Sequence, residues 1–425
     1  MGRILIWREI ILGSDIDIFN ETDYMKLDSR LKELYGGVCP NWGNKLWFQG
    51  LYSTIDTPEN QIFIRTNETV EEINEKYDLI IYPMANFFGV EYATDTSAHV
   101  KAFQGVKIPI YIVACGAQAE NYGDIEGLIQ KIGDSSSRFI EAVYQTGGGF
   151  ALRGNFTKEF FGRLGFNDAV VTGCPSMYQM GSEFRVDETK IPKEQINPII
   201  TGKLNLFENI MKKIPDSVYL SQELYADCLY RPNFLVKQSL KSDILWMHYY
   251  SVYQADLLGQ GRIKMIVDTK DWYHYIKNHN FNFAFGTKIH GSIMPILAGV
   301  PAALVAIDSR TMEMAEFFDI PYFNLNGKKT YTLDEFYDIY DRMDYSRFNQ
   351  TYLEKYNNYE KFLIERKIVK KINPNNKFFA KEGHEKFDEY QPNRRDFVKY
   401  AKKIKRKKGL LLLGEQAIRL KNMWN

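Results

Sequence analysis

Cysteine is scarce in this chain. Cys39, Cys115, Cys174 and Cys228 are spread over 425 residues, with no CxxC pair and no histidine spacing that would make a zinc site. A disulfide scaffold is therefore not expected, no metal requirement is visible, and a reducing cytoplasm fits best. Long apolar runs are also missing: none approaches the ~20 residues needed to span a bilayer. The start, Met1-Gly-Arg-Ile-Leu-Ile-Trp-Arg-Glu, has only a very short apolar run before charges, so a secretory signal is not expected. Ile6 stands where a myristoylation signal needs Ser or Thr. An excess of either charge is absent as well. With 54 Lys and Arg against 53 Asp and Glu, the net charge is +1, and nothing global points to nucleic acid. No internal repeat is visible.

The chain is instead rich in apolar and aromatic residues. Hydrophobic residues make up 45% and permit a sizeable core. Aromatics reach 15%, so some rings must lie at surfaces, where they serve interfaces or carbohydrate clefts alike. A length of 425 residues favours two or three domains over one.

Strand-like runs recur between helical stretches, the rhythm of a parallel α/β sheet. In the first half they are Gln61–Ile64, Leu79–Pro83, Ile108–Ala114, Phe150–Arg153 and Ala169–Thr172. Before them, a helix is expected around Tyr24–Leu34. The Gly/Asn-rich turn Asn41-Trp-Gly43-Asn44 opens a further helical run and reads equally as a ligand loop or a simple cap. Asn155-Phe-Thr157 is expected to cap a helix over Lys158–Leu164. The polar stretch from Val186 to Asn197 reads as a linker. A second series follows: Pro198–Thr201, Ser217–Leu220, Ile244–Met247, Met265–Val267, Phe281–Phe285 and Ala303–Ile307. After Pro321 the chain is expected to be helical. The expected organisation is a Rossmann-like domain over 1–185, a second over 198–325, and a helical extension over 326–425. Near the end, the basic block from Lys399 to Lys408 adjoins an apolar helical segment. It reads either as a membrane-surface anchor or as a solvated helix packed on the body.

The densest polar cluster follows the run Phe283–Gly286. Thr287, Lys288, His290, Gly291 and Ser292 combine a cation, hydroxyls, free backbone N–H groups and an imidazole at a helix start, the mixture that an anion site needs. Asp308, Ser309 and Arg310 leave the next strand at the same sheet edge, where ligands bind in open α/β sheets.

Two segments carry a family resemblance. One is Leu152-Arg153-Gly-Asn-Phe-Thr157 through Gly165 to Val171-Thr-Gly173-Cys-Pro175-Ser176. The other runs from Gly286-Thr-Lys288-Ile-His290-Gly to Gly299-Val-Pro301 and Asp308-Ser-Arg310. Together with Asn41-Trp-Gly43-Asn44, their order and spacing resemble the polysaccharide pyruvyl transferase family over roughly residues 36–325. The resemblance implies a GT-B-like fold, with two Rossmann-like domains facing a cleft. It also implies transfer of pyruvate from phosphoenolpyruvate onto two hydroxyls of a sugar or lipid-linked oligosaccharide, forming a cyclic ketal, with no cofactor. Under it, His290 is the general acid and Arg153 the clamp for phosphate or carboxylate. Lys288 stands where the family more often has Arg, and Arg310 offers the planar fork that Lys lacks. Thr287, Ser292 and the backbone at Gly291 are hydrogen-bond donors to phosphate. Ser176 faces the same cleft, and Asn41 and Asn44 belong to the acceptor side. For a general base, Asp124, Glu223 and Asp308 all remain open.

Two other readings use the same residues. A nucleotide-sugar glycosyltransferase of this fold would bind a diphosphate at the cationic turns and use Glu313 for the ribose. A non-catalytic carbohydrate-binding protein would keep the fold alone.

Overall fold

The computed structural model describes residues 2–7, 43–90, 93–119, 122–222, 260–266 and 269–372, together with Leu257 and Phe379. The expected helix near Tyr24, the strand at Ile244–Met247 and the basic tail lie outside these residues.

Among the described residues, two six-stranded sheets, parallel throughout, form the frame. The first contains β1 (Gly2–Ile6), β2 (Asn60–Ile64), β3 (Leu79–Pro83), β5 (Ile110–Cys115), β7 (Gly149–Leu152) and β8 (Val170–Val171), in the order β2-β1-β3-β5-β7-β8. Between them β4 (Phe88–Gly89) and β6 (Ala117–Gln118) make a two-residue pair beyond the sheet's edge. The second sheet contains β9 (Pro198–Thr201), β10 (Val218–Ser221), β11 (Ile263–Met265), β12 (Phe283–Gly286), β13 (Ala302–Ala306) and β14 (Tyr322–Asn324). Its order is β11-β10-β9-β12-β13-β14. Helices cover both faces of such sheets, so the central strands read as unbroken apolar runs instead of alternating. β3 and β5 are buried at every position.

In the second sheet the order reverses between β9 and β12, which opens a crevice beyond their carboxyl ends. Thr201-Gly202 and Gly286-Thr287 border it. A hydrophobic core runs from Ile4 and Leu46 through Ile199 and Phe283 to Tyr359, joining the inner layers of both halves. A second core fills the outer layer of the first half, around Phe88, Phe139 and Phe150.

Three expectations need correction. Gly2–Ile6 is not merely an apolar start but an interior strand, paired with both β2 and β3. Tyr322–Asn324, read as part of a helical region, is an edge strand that adds to β13. At three to five residues, these runs are too short to show a period of their own, and sheet pairing decides them. Thr157 does not cap its helix either. Gly154 occupies the cap position of the helix Asn155–Arg163, and the Thr157 hydroxyl serves other groups.

The helix Ser346–Glu365 returns to the first half. Phe348, Tyr352, Tyr356 and Tyr359 fall at intervals of three to four and form its buried stripe. Tyr359 stacks on Tyr178 at 4.9 Å and its hydroxyl meets Thr54 Oγ1 at 2.8 Å. The start of this helix is tied to the second sheet. Tyr345 Oη donates to the Ala302 carbonyl at 2.7 Å and accepts from the Ala302 N–H at 3.1 Å, at the end of β13 remote from the crevice.

Replacing Tyr345 by Phe leaves both Ala302 groups buried without a partner, at a cost of about 1–3 kcal/mol. Urea unfolding should show a lower midpoint at unchanged slope. An unchanged midpoint would mean that the tie contributes nothing.

Candidate functional site

Side chains from both halves converge where the carboxyl ends of β5 and β7 face those of β12 and β13. Arg153 follows β7 directly. Its N–H donates to the Cys115 carbonyl at 2.9 Å, continuing the pairing of β7 with β5. The pairing slips one residue there because Ala114 takes a left-handed φ of +64°, a bulge that turns the chain at the strand end. The Arg153 side chain is 2% exposed. Nη1 donates to Asn86 Oδ1 at 3.0 Å, whereas Nε and Nη2 are buried without a partner. These two N–H groups form one side of the guanidinium fork, the geometry that grips a carboxylate or phosphate with two bonds. Burial pulls the Arg153 pKa below its ordinary value, an effect opposed by Cys174 and Glu313 and reinforced by Arg310.

His290 lies in the first turn of the helix Ile289–Leu297, opposite Arg153, and is buried. Its Nε2 is 3.9 Å from Cys174 Sγ, which also accepts from Ser176 Oγ at 3.1 Å. The contact joins the Gly173–Ser176 turn of the first half to the β12 turn of the second. The imidazole pKa is driven well below 6.5, first by burial and then by Arg153, Arg310 and Lys288. Those three cations lie on three different segments, and all three act on the one ring.

The remaining predicted residues fall as follows. Lys288 is the N-cap residue of the helix and supplies no side-chain cap bond, so it leaves the first-turn N–H groups, including that of Gly291, uncapped. Gly291 packs against Thr201 and Gln222. Thr201 Oγ1 and both amide atoms of Gln222 are buried without partners. Thr287 Oγ1 accepts from the Lys203 N–H at 3.1 Å and so shapes the Gly202 turn. Ser292 Oγ reaches back to the Lys288 carbonyl at 3.4 Å. Arg310 pairs through Nη2 with Asp308 Oδ2 at 2.8 Å. Ser176 is fully buried beside Cys174. Asn44 sits half-buried in the first turn of the helix Gly43–Ile55, and Asn41 lies outside the described residues. Two candidates for the general base are helix caps: Asp124 accepts from the Gly127 N–H, and Asp308 from the Thr311 N–H, each at 2.9 Å. Glu223 lies outside the described residues.

Two participants escaped the sequence reading of the site, and a third was given a different role. Asn86 orients the Arg153 fork, and its signal was available, since it follows the strand Leu79–Pro83 just as Arg153 follows β7. Cys174 stood inside the Gly173–Ser176 segment of the family resemblance but was given no role there. Glu313, read as a ribose ligand, is 1% exposed and instead takes bonds from Thr157: from the N–H at 3.0 Å and from the hydroxyl at 2.8 Å.

Two facing parallel-sheet halves, a helix that returns from the second to the first, and a cationic seam between them define a GT-B-like α/β protein. Within that class the chain belongs to the polysaccharide pyruvyl transferase family, whose family model matches residues 11–309. No curated protein matches the chain. Among solved structures it is similar to the MnaA–UDP complex of S. aureus, at 11% identity and a TM-score of 0.42, covering 87% of this chain and 98% of that one. It is also similar to a UDP-N-acetylglucosamine 2-epimerase from Listeria monocytogenes, at 10% identity and a TM-score of 0.37, covering 88% and 92%. A third is the glycosyltransferase SnogD from Streptomyces nogalater, at 9% identity and 0.31, covering 84% and 95%. Among the described residues no helix is long and apolar enough to cross a membrane.

The depressed His290 pKa gives a signed expectation. Its contribution to stability is present above the unfolded value near 6.5 and is lost as pH falls through the folded value. In the ligand-free protein, nitrogen-detected NMR should find this imidazole neutral at pH 6. An ordinary midpoint would show that neither burial nor the cations act on the ring in this way.

Proposed function

We propose that this protein moves pyruvate from phosphoenolpyruvate onto two hydroxyls of a sugar, closing a cyclic ketal and releasing phosphate. The observation that most supports this reading is the field of three cations, drawn from both halves, on one buried imidazole. Phosphoenolpyruvate is small and carries both a phosphate and a carboxylate, so it offers acceptors to cations on both sides at once. The Nε and Nη2 edge of Arg153 takes one anionic group in a two-bond grip. Lys288, Arg310 and the first-turn N–H groups take the other.

The same field sets the proton inventory. In the empty site His290 is neutral. A bound dianion offsets the three cations and raises the affinity of the ring for a proton, so protonation is coupled to donor binding. The imidazolium then delivers its proton to the methylene carbon, which becomes a methyl group. The adjacent carbon acquires oxocarbenium character and is attacked by a sugar hydroxyl, which loses its proton. The second hydroxyl forms the other C–O bond as the C–O bond to phosphate breaks, and it too loses its proton. Donor and diol become ketal and inorganic phosphate, with no redox change and no cofactor.

The acceptor class is a bacterial polysaccharide, a cell-wall glycan or a lipid-linked precursor. Lipid-linked acceptors reside at the inner face of the cytoplasmic membrane, where the basic block of residues 399–408 would hold the protein. The nucleotide-sugar reading draws less support, because the carboxylate it assigns to the ribose is buried and bonded to Thr157.

Binding and turnover separate the two central roles. Arg153→Lys removes the fork but keeps the charge and should weaken phosphoenolpyruvate binding about 10–100-fold. His290→Gln should still bind the donor and lose about 10²–10⁴-fold in turnover. Calorimetry with phosphoenolpyruvate and mass spectrometry of ketal formation on lipid-linked oligosaccharides read these effects. Near-normal transfer by His290→Gln would end the acid assignment. A chain stabilised by nucleoside diphosphates and not by phosphoenolpyruvate would overturn the function.

A further inference from the structure

The helix Ser309–Phe318 begins at the seam with Arg310, and one stripe of it is spent on the opposite half. Ser309 Oγ accepts from the Ala119 N–H at 2.9 Å and donates to the Ala117 carbonyl at 3.3 Å. Four residues on, Glu313 Oε2 accepts from the Thr157 N–H at 3.0 Å and Oε1 from the Thr157 hydroxyl at 2.8 Å. That hydroxyl oxygen in turn accepts from the Ala117 N–H at 2.7 Å. Three residues further, Glu316 accepts from the Tyr122 hydroxyl. Positions i, i+4 and i+7 share a helix face, so the stripe is a docking surface by construction.

The fit leaves no slack at Glu313. A Cβ on Gly154 would lie 2.9 Å from Glu313 Cβ and 3.0 Å from the Glu313 carbonyl oxygen. A Cβ on Gly116 would lie 3.0 Å from Glu313 Oε1 and 3.2 Å from Arg153 Cδ. The carboxyl is thus wedged between the backbone that carries Arg153 and the first turn of the helix Asn155–Arg163. That turn needs acceptors for its N–H groups and has no side-chain cap of its own, so Glu313 supplies one from across the seam.

We propose that Glu313 is a positioning residue: it docks the second half onto the head of the helix Asn155–Arg163 and thereby sets the Arg153 fork opposite His290. The proposal rests on the reading of this seam as the donor site, and concerns what holds that site together. Arg153, Arg310 and Lys288 repel one another, so bringing the two halves together requires a compensating contact. Glu313 is a buried carboxyl whose bonds across the seam, from the Thr157 N–H and hydroxyl, supply that contact.

Docking on these terms is linked to a proton. The groups that face Glu313 are Thr157 and Arg153 on the β7 side, Cys115 on the bulged strand, Tyr122, and Glu316 on its own helix. Burial pushes its pKa up to about 7, against the Thr157 bonds and the Arg153 charge that pull it down, and Glu316 adds to the rise. With the halves apart, the carboxyl would return to an ordinary value of about 4.3. The docked state therefore takes up a proton. Its advantage is fully present below the ordinary value and is lost as pH rises through about 7.

The test uses the full chain without ligand. Hydrogen exchange of the amides in the helix Asn155–Arg163, corrected for intrinsic rates and compared with β5, should show protection falling as pH rises from 5 to 8. Glu313→Gln keeps an acceptor for the Thr157 N–H and cannot ionise, so its protection should be flat across that range. Glu313→Ala should lose protection about tenfold or more at every pH. In turnover assays it should raise KM for phosphoenolpyruvate about tenfold with a change in kcat of less than about threefold. Thr157→Val, which keeps the N–H and removes the hydroxyl, should fall between wild type and Glu313→Ala, and it replaces that variant if the latter does not fold. Unchanged protection in Glu313→Ala, or a pH step that persists in Glu313→Gln, would overturn the proposal. If the wild type shows the exchange behaviour but binds no phosphoenolpyruvate, the docking role stands and the donor reading falls.

Discussion

A guanidinium removed from water must be satisfied by the protein or by a ligand, and much else in this molecule is arranged around that constraint. Arg153 is buried, with one nitrogen held by Asn86 and two left over. Leaving such groups without partners costs several kcal/mol each in an apolar setting, so the surroundings must compensate until an anion arrives. Glu313 and Cys174 lie close enough to oppose the loss of its charge, whereas Arg310 and Lys288 add to the positive field. The surroundings are therefore positive and short of acceptors, the setting that the proposed small, highly charged donor would complete.

The fold supplies what a single strand end could not. Each parallel sheet brings polar residues to its carboxyl edge, but a one-sided edge stays wet, and in water the same charges would be screened to a small fraction of their effect. Setting two such edges face to face removes the water and places cations on both sides of one small volume. The returning helix Ser346–Glu365 and the core that it shares with both halves hold that arrangement. The Ser309–Glu313–Glu316 stripe holds it locally, next to the charges themselves. The contacts that join the halves lie beside the cations that act on His290.

Much of the fold was legible because parallel sheets leave a plain trace: short, fully apolar runs ending in polar turns. Leu79–Pro83 and Pro198–Thr201 coincide with their strands, and most others are displaced by one or two residues, since apolar runs extend past the last paired residue. Gly2–Ile6 and Tyr322–Asn324 were less legible. Each is short, and becomes a strand only because a neighbour offers a free edge. In the site, Arg153, Lys288, His290 and Arg310 stood out because ionisable residues within a few positions of an apolar strand's end are conspicuous. Asn86 obeys the same rule but is neutral, and so drew no notice.

By itself, the sequence determined the strand-and-turn rhythm, the scarcity of cysteine and of long apolar runs, and the family to which the chain belongs. All of these are properties of neighbouring residues and their spacing. Tertiary structure alone decided which charges meet. Arg153 and His290 are separated by more than a hundred residues, and nothing local to either says that they face one another. The fate of Glu313 was decided in the same way. Its place shortly after Arg310 suggests a ribose ligand, whereas the packed seam buries the carboxyl against Gly154 and Thr157, and burial changes both its partners and its charge. Side-chain ionisation depends on the dielectric and charges within a few ångströms, and those are set by what the fold brings alongside.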